Sequence, residues 1–370
     1  MNLNLKALKR RIVLLLVIAS FWSCKMQHEV AMLDLSKIAR RDYDLSRSAQ
    51  KMRYLSLQNE TGDFSGYLTG FVDAGKYYYV TDNYSLLKYT KTGKYISSIG
   101  NWGIEAGQDG IIYCMDMDAE KDRLYVRTVD EMFVFDAEGK LLKRQFLDIP
   151  PKAHYDPEKQ VLLVRKDSAF HRRFYLSAFY LNERNQFLFK NPDNEGNEVA
   201  VLICNEELDS IGAIRNGNPR NTEVYDVIPR ISTDRNYYYY LKTGSDTLYQ
   251  LNQQLQEKPF LVLRHFYTPS IYATRHILYI KGNGYAVLYS SKSGKAIHPG
   301  KGKNSGIYIE QIPWKPVAGK GNRLFLQALA TDVLERKGHI KNPALKRLCE
   351  TLTPESGVVL IDLKINKLKP

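Results

Sequence analysis

The sequence predicts an all-β fold built from repeated sheets, and three observations support this prediction. The stretch GKYYYVTDNYSLLKYTKTGKYISSIG (75–100) aligns with KDRLYVRTVDEMFVFDAEGKLLKRQF (121–146), and GYAVLYSSKSGKAI (284–297) repeats the second half. The copies recur every ~40 to 50 residues with about four short strands each, which is the spacing of propeller blades. Apolar runs alternate with polar turns along most of the chain. We therefore expect a six-bladed β-propeller with one short C-terminal helix, preceded by a signal peptide.

A glycine closes the second hairpin of each clear copy. Gly93 and Gly139 are 46 residues apart, and Gly294 occupies the same place in the later copy. A hairpin of three to five residues needs a positive φ at this position, and glycine adopts it without a steric cost. The other copies are marked by four apolar strands, which bring the total to six: 159–164, 236–241, 276–281 and 322–327.

Three further stretches complete the predicted ring. Asn, Asp, Gly and Pro concentrate within 185–225, and the gap between the third and fourth copies is long, so we expect an insertion in the third blade there. MRYLSL (52–57) and GVVLIDLKI (357–365) should pair to close the ring, because closure removes exposed strand edges. NPALKRLCETLT (342–353) has leucines at helical spacing, and Pro343 suits a first helical turn.

The N-terminus has the pattern of an export signal. Four basic residues within 6–11 precede an apolar run of 12 residues, 12–23, whereas a membrane-spanning helix needs about 20. A basic segment followed by a short apolar one is typical of a secretory signal peptide. The end of the run resembles the lipobox of bacterial lipoproteins, with Phe21 and Trp22 departing from the usual residues. In that family the cysteine at the position of Cys24 is acylated and becomes the first residue.

This resemblance implies a signal peptide at 1–23 and a lipid on Cys24. Together with the repeats, it predicts a lipid-attached tether at 24–48 and a six-bladed β-propeller at 49–370. It also implies a membrane partner, held through a lipid anchor at Cys24, and a place in the cell envelope on the outer membrane. Whether the body faces the periplasm or the cell surface stays open. Ordinary cleavage and an uncleaved anchor are the alternatives to lipidation.

The charge of the chain narrows the classes of partner. The formal net charge is +13, and removal of residues 1–23 deletes four basic and no acidic residues, which leaves +9. An exported protein does not routinely meet nucleic acid, so no nucleic-acid partner is expected. Anionic lipid headgroups and acidic glycans are the electrostatic partners that fit a basic exported chain. We expect a monomer that binds a glycan, a peptide or another envelope protein.

Sequence motifs for metal binding and catalysis are sparse. The seven histidines lack metal-ligand spacing such as His-Glu-x-x-His, and no catalytic residue is predicted. NPDNEGNE (191–198) starts like a calcium loop, but its twelfth position would be Leu202 instead of glutamate. We expect no cofactor, with calcium as the alternative. Cys114, Cys204 and Cys349 are odd in number and give no disulfide framework, so buried thiols and a single disulfide both remain open.

Two tryptophans are the candidate ligand contacts. Trp102 lies in the glycine-rich connection GNWGIEAGQDG (100–110), and Trp314 follows Pro313. An aromatic ring in a loop can stack on a sugar or on a peptide side chain. The alternative for both rings is a plug between adjacent blades.

A family resemblance covers most of the chain after the signal. The repeated blade at 75–100, GSDTLYQL (244–251) and LKRLCETLTPESGVVLIDLKINK (345–367) together resemble the six-bladed β-propeller lipoproteins of Gram-negative, gut-type bacteria. The most specific match is 245–249, which fits the Ser-Asp-Thr-apolar-Tyr start of a blade in that family. The loop after the first blade, 100–110, keeps glycines but lacks the Pro-Gly-Glu core that relatives carry. The resemblance therefore implies the fold and the location, not the activity.

Two classes of function remain. The first is a non-catalytic binding or scaffolding module of the cell envelope, favoured by the anchor and by the sparse catalytic motifs. The second is an envelope hydrolase or lyase with a metal in the propeller channel, because related six-bladed propellers include metal-dependent lactonases.

Overall fold

The computed structural model describes most of the chain beyond residue 29. The described residues are 30–57, 66–103, 109–118, 121–128, 131–146, short strands between 154 and 241, 246–252, 256–266, 270–282, 284–301 and 304–369. The predicted signal peptide (1–23), Cys24 and the calcium-like loop (191–198) lie outside them. Among the helices of the described part, none is long and apolar enough to cross a membrane.

The chain folds into consecutive antiparallel sheets. Three strands come first: β1 (Ala31–Asp34), β2 (Arg40–Arg41) and β3 (Ala49–Leu57). Sheet A consists of β4 (Gly70–Asp73), β5 (Tyr77–Thr81), β6 (Leu86–Thr90) and β7 (Tyr95–Ser98). Sheet B consists of β8 (Cys114–Asp118), β9 (Arg123–Arg127), β10 (Glu131–Asp136) and β11 (Leu141–Phe146). A two-stranded hairpin follows, with β12 (His154–Asp156) and β13 (Val161–Leu163).

The second half of the chain continues this pattern. Sheet C consists of β14 (Phe179–Leu181), β15 (Phe187–Lys190), β16 (Val199–Cys204) and β17 (Ser210–Arg215). Sheet D has β18 (Ser232–Thr233), β19 (Tyr237–Leu241), β20 (Thr247–Asn252) and β21 (Glu257–Arg264). Sheet E has β22 (Ser270–Ala273), β23 (Ile277–Gly282), β24 (Tyr285–Ser290), β25 (Ala296–Lys301) and β26 (Asn304–Ser305). Sheet F has β27 (Ile307–Ile309), β28 (Ile312–Lys320), β29 (Arg323–Leu329) and β30 (Val358–Ile365).

The sheets are arranged side by side with their inner strands in contact. β4 contacts β8 and β28, β8 contacts β14, and β22 contacts β18 and β28. Separate antiparallel sheets that meet along their inner strands are the arrangement of a propeller. The structure therefore confirms a mostly β, propeller-like fold with few helices.

Sheet F joins the two ends of the chain, as the sequence predicted. β3 is its outer strand and pairs antiparallel with β30, from Met52 opposite Leu363 to Leu57 opposite Val358. The strands β28, β29 and β30 therefore come from the C-terminal part and β3 from the N-terminal part. This pairing covers the outer edge of β30, which would otherwise be exposed.

The segment before β3 also pairs with sheets. β1 runs parallel to the outer strand of sheet D, with Ala31 opposite Leu261, and β2 runs parallel to β25 of sheet E, with Arg40 opposite His298. The predicted tether, 24–48, is therefore incorporated into the outer edges of two sheets from residue 31 onward.

One sequence expectation about the sheets needs correction. The predicted insertion at 185–225 is wrong at β15, β16 and β17, because these apolar strands pair into sheet C. Their β-branched and aromatic residues outweigh the turn-forming residues that the sequence places beside them. The strands predicted at 236–241, 276–281 and 322–327 are confirmed as β19, β23 and β29. β19 and β23 are the second strands of their sheets, and β29 follows β28 in sheet F.

The described part has two α-helices where the sequence predicted one. α1 (Ala330–Glu335) and α2 (Pro343–Thr351) lie between β29 and β30. α2 is the predicted helix, and the Asn342 side chain caps it by accepting hydrogen bonds from the first turn. Leu345 and Cys349 of α2 are buried in the core. α1 has six residues, too few to show a helical period in the sequence.

The cysteines occupy apolar or partly apolar surroundings. Cys349 carries a free thiol, and burial raises its pKa. Cys204 is buried in β16, and Cys114 is half-buried in β8. These placements fit thiols that fill space as small apolar side chains.

Candidate functional site

The structure places both predicted tryptophans in the core. Trp102 is 6% exposed, stands edge-on to Phe133 with ring centroids 5.0 Å apart, and donates a hydrogen bond from Nε1 to the Ile99 carbonyl. Trp314 is 3% exposed and donates to the Ile309 carbonyl at 3.2 Å. Since each indole is buried and its N–H is satisfied, both placements fit the alternative of packing between sheets.

A cavity lies instead where the inner strands of three sheets meet. Its volume is about 430 Å³, within the range of about 300 to 1,000 Å³ that is typical of small-molecule sites. The segment just before β4 of sheet A contributes three residues. Sheet E contributes parts of β22 and β23, and sheet F contributes parts of β28 and β29. The lining residues are Tyr67, Leu68, Thr69, Ser270, Tyr272, Lys281, Gly282, Lys315, Pro316 and Gln327.

Strand pairing brings the two lysines of this cavity to the same end of the sheets. Lys281 lies opposite Ser270 across β22 and β23, and Lys315 lies opposite Gln327 across β28 and β29. Both pairs are at the end of the sheet where the inner strand starts. We call this end, on all sheets, the pocket end.

Lys315 is held by an aromatic ring. Its Nζ lies 3.2 Å from the centroid of the Tyr67 ring, a cation–π contact. The Tyr67 hydroxyl in turn donates to Asp332 Oδ2 at 2.9 Å. Burial, together with this carboxylate, raises the pKa of Tyr67 to about 12. The phenol therefore stays neutral, and its ring supports the ammonium group.

The loop before β4 is fixed by a side chain of sheet F. Gln327 is 3% exposed, and its Nε2 donates to the Leu68 carbonyl at 2.8 Å while its Oε1 accepts from the Leu68 N–H at 2.7 Å. Thr69 donates from its backbone N–H to the Thr81 carbonyl at 2.8 Å. This pairing positions Tyr67 and Thr69 at the cavity before any ligand binds.

The cavity has a positive electrostatic character. Partial burial lowers the pKa of Lys315, and the nearby charge of Lys281 lowers it further, against the opposite effect of Asp332. Two lysines in one cavity favour an anionic ligand. The cavity also offers the hydroxyl group of Ser270, which can bond to a polar ligand, whereas the Thr69 hydroxyl donates to Asn83.

Sequence reasoning missed all of these residues. Tyr67, Lys281 and Lys315 are far apart in the chain and belong to no local motif. The available signal was positional, since Tyr67 shortly precedes β4, Lys281 lies near the end of β23 and Lys315 lies where β28 begins to pair with β29. Within the described residues, no group of three His, Cys, Asp or Glu side chains is placed to hold a metal ion.

A separate polar cluster joins sheets A and F. Arg323 donates to Asp362 through Nε at 2.7 Å and to Asp73 Oδ2 through Nη1 at 2.7 Å. Lys91 also pairs with Asp73, and Arg53 donates to Asp362 at 3.1 Å. Burial alone would raise the pKa of Asp73, but the hydrogen bond from Lys91 and the surrounding positive charges outweigh it and lower the pKa. Because every charge has an opposite partner, we assign this cluster to the joining of sheets A and F.

Comparison with known proteins supports the fold. No protein-family profile matches the sequence, and none of the curated proteins matches it. The crystal structure of a Bacteroides fragilis protein described as exported is similar over 92% of this chain and 100% of its own, with a TM-score of 0.66 and 11% identity. Virginiamycin B lyase from Staphylococcus aureus is similar over 85% of this chain and 99% of its own, with a TM-score of 0.48 and 10% identity. At these identities the likeness shows the fold alone.

Proposed function

We propose that this protein is a non-catalytic binding module of the cell envelope that holds an acidic glycan in the cavity at the pocket end. The observation that carries the proposal is the pair Lys281 and Lys315 in one cavity of about 430 Å³, beside two tyrosines. Carboxylate groups pair with ammonium groups through charge-assisted hydrogen bonds. Sugar rings stack on aromatic side chains and bond to hydroxyl groups. A glycan that contains uronic acids presents both features.

Three further features belong to this proposal. Residues 1–23 are removed as a signal peptide, and Cys24 becomes the lipid-anchored first residue at the outer membrane. Sheets A to F are the six blades of the propeller, which the contacts between neighbouring inner strands support. The protein acts as a monomer and needs no cofactor.

The proposal is tested by comparing a trisaccharide of galacturonic acid with a neutral trisaccharide of galactose. We expect the acidic sugar to raise the melting temperature of the protein and the neutral one to have little effect. Replacing either lysine, by Lys281→Gln or Lys315→Gln, should weaken binding about tenfold, because each removes one hydrogen bond to a charged group. Isothermal titration calorimetry measures the affinities.

The matched control is Lys346→Gln, which removes an exposed lysine on α2 outside the cavity. It should leave the affinity unchanged. Equal binding of the two trisaccharides, or equal weakening by all three substitutions, would contradict the proposal.

A further inference from the structure

The sheets have a second end, opposite the cavity, which carries the turns from the first to the second strand and from the third to the fourth. We call it the hairpin end. Contacts between these turns make it continuous across neighbouring sheets. The Arg275 N–H donates to the Gly321 carbonyl at 2.5 Å, Lys320 Nζ donates to the Asp73 carbonyl at 2.5 Å, and the Tyr79 hydroxyl donates to the Ala137 carbonyl at 2.7 Å. These bonds link sheets E, F, A and B in that order.

The hairpin end is basic. Six of its exposed cationic side chains lie on the turns of sheets A, B and E: Lys76, Lys94, Lys121, Lys140, Arg275 and Lys295. Among the described residues of the same turns, the exposed acidic side chains are Asp122 and Glu138. The surplus of positive charge is therefore spread over several sheets and faces solvent.

The chain enters the fold from this side. β1 is parallel to β21, and β21 starts at the hairpin end and finishes at the pocket end. β1 therefore begins at the hairpin end and runs away from it. Cys24 precedes Ala31 by seven residues, which can span at most ~25 Å at about 3.6 Å per residue. An anchor at Cys24 would hold the body close to the membrane.

We propose that the hairpin end rests on the anionic surface of a phospholipid bilayer, so that the cavity opens away from the membrane. The inference rests on the lipid anchor of the proposed function and adds the orientation of the body. Clustered Lys and Arg side chains beside an anchor are attracted to anionic headgroups, and the attraction weakens with salt. The start of β1 selects this end of the molecule, and its exposed lysines supply the charge that attracts anionic headgroups.

The test uses the full chain, purified from the membranes of a Gram-negative host and reconstituted into vesicles. Thr92→Cys places a fluorophore in the β6–β7 turn at the hairpin end, and Tyr84→Cys places one in the β5–β6 connection at the pocket end. Both sites are exposed and belong to sheet A, so they form a matched pair. The vesicles contain a headgroup-linked quencher in either phosphatidylcholine alone or a mixture with phosphatidylglycerol. The protein without an added cysteine gives the background.

We expect the fluorophore at position 92 to be quenched at least about twofold more than that at position 84 in anionic vesicles, with a smaller difference at high salt. Combining Lys94→Glu, Lys140→Glu and Lys295→Glu should reduce the difference. The control combines Lys337→Glu, Lys341→Glu and Lys346→Glu at the pocket end, and should preserve it.

Flotation of the vesicles tests the lipid anchor separately from the orientation. Protein that floats but is quenched equally at both positions, or more strongly at position 84, overturns the orientation and leaves the anchor intact. Protein that does not float with vesicles overturns both the anchor and the orientation. A hairpin-end charge reversal without effect on quenching also overturns the orientation.

Discussion

Two glycines in equivalent turns differ in what surrounds them. Gly93 has φ of 88°, and a Cβ at this position would clash with the backbone carbonyl of Ser56 on sheet F. Gly294 has φ of 67° in the same kind of turn, but open space lies around its missing Cβ. The sequence predicted a positive φ at both positions from the hairpin pattern. The contact between sheets at Gly93 depends on the tertiary fold and has no local signal.

The pair gives a direct prediction. Gly294→Ala should lower the free energy of unfolding by about 1 to 2 kcal/mol, because an L-residue is strained at positive φ. Gly93→Ala should cost clearly more, since the clash with Ser56 adds to the same strain. Urea unfolding of the two variants measures the difference. Equal losses would contradict the close approach of sheets A and F.

The burial of Trp102 could not be predicted from its neighbours in the sequence. Its polar, glycine-rich neighbours suggested an exposed ring, but packing against Phe133 buries the indole. Trp102→Ala should lower the free energy of unfolding by about 3 to 5 kcal/mol, as expected for a large buried aromatic. The folded fraction should bind the acidic trisaccharide with unchanged affinity in calorimetry. A selective loss of affinity with normal stability would restore the ring as a ligand contact.

At the scale of elements, the pairing of two strands completes sheet F, and charged side chains join sheet F to sheet A. The apolar pattern of 52–57 and 357–365 was enough to predict the pairing of β3 with β30. The polar cluster beside it was not predictable, because Asp73, Arg323 and Asp362 come from three strands. Asp73 is nearly fully buried, so its carboxylate needs the cations of Arg323 and Lys91 in the folded state.

This cluster predicts a loss of stability in acid. The pKa of Asp73 is lower in the folded protein than its ordinary value of about 3.9, so its contribution is present above that pH and is lost as pH falls below it. Asp73→Asn should lower the free energy of unfolding at pH 7 by about 3 kcal/mol. It should also flatten the dependence on pH between about 5 and 3.

Urea unfolding at about pH 7, 5 and 3 checks this prediction, because these values lie on both sides of the ordinary carboxyl pKa. Asp42→Asn, at an exposed position, is the control and should keep the wild-type pH dependence. A variant at Asp73 with unchanged pH dependence would show that the carboxylate does not support closure.

At the scale of the whole molecule, features with local sequence signals were predictable, and features that depend on distant residues were not. The hairpins, α2 and the closing strands were predictable, because their signals lie within a few residues of each other. The sheet C strands were mistaken for an insertion, since their flanks are rich in turn-forming residues. The cavity was not predictable, because Tyr67, Lys281 and Lys315 meet only after three sheets have packed together.

The two ends of the molecule have different proposed tasks. The pocket end offers a cationic, aromatic cavity, and the hairpin end offers exposed lysines on the side where β1 begins. A protein oriented in this way would present its ligand site to the compartment and its basic surface to the lipid. The orientation depends on the anchor, whereas binding in the cavity does not.

The most direct test of the central claim is a crystal structure of the protein with the galacturonic acid trisaccharide bound. The account predicts one sugar carboxylate within hydrogen-bond distance, ~3 Å, of Nζ of both Lys281 and Lys315. It also predicts a sugar ring against Tyr67 or Tyr272. A trisaccharide bound at another surface, with the cavity holding solvent alone, would contradict it.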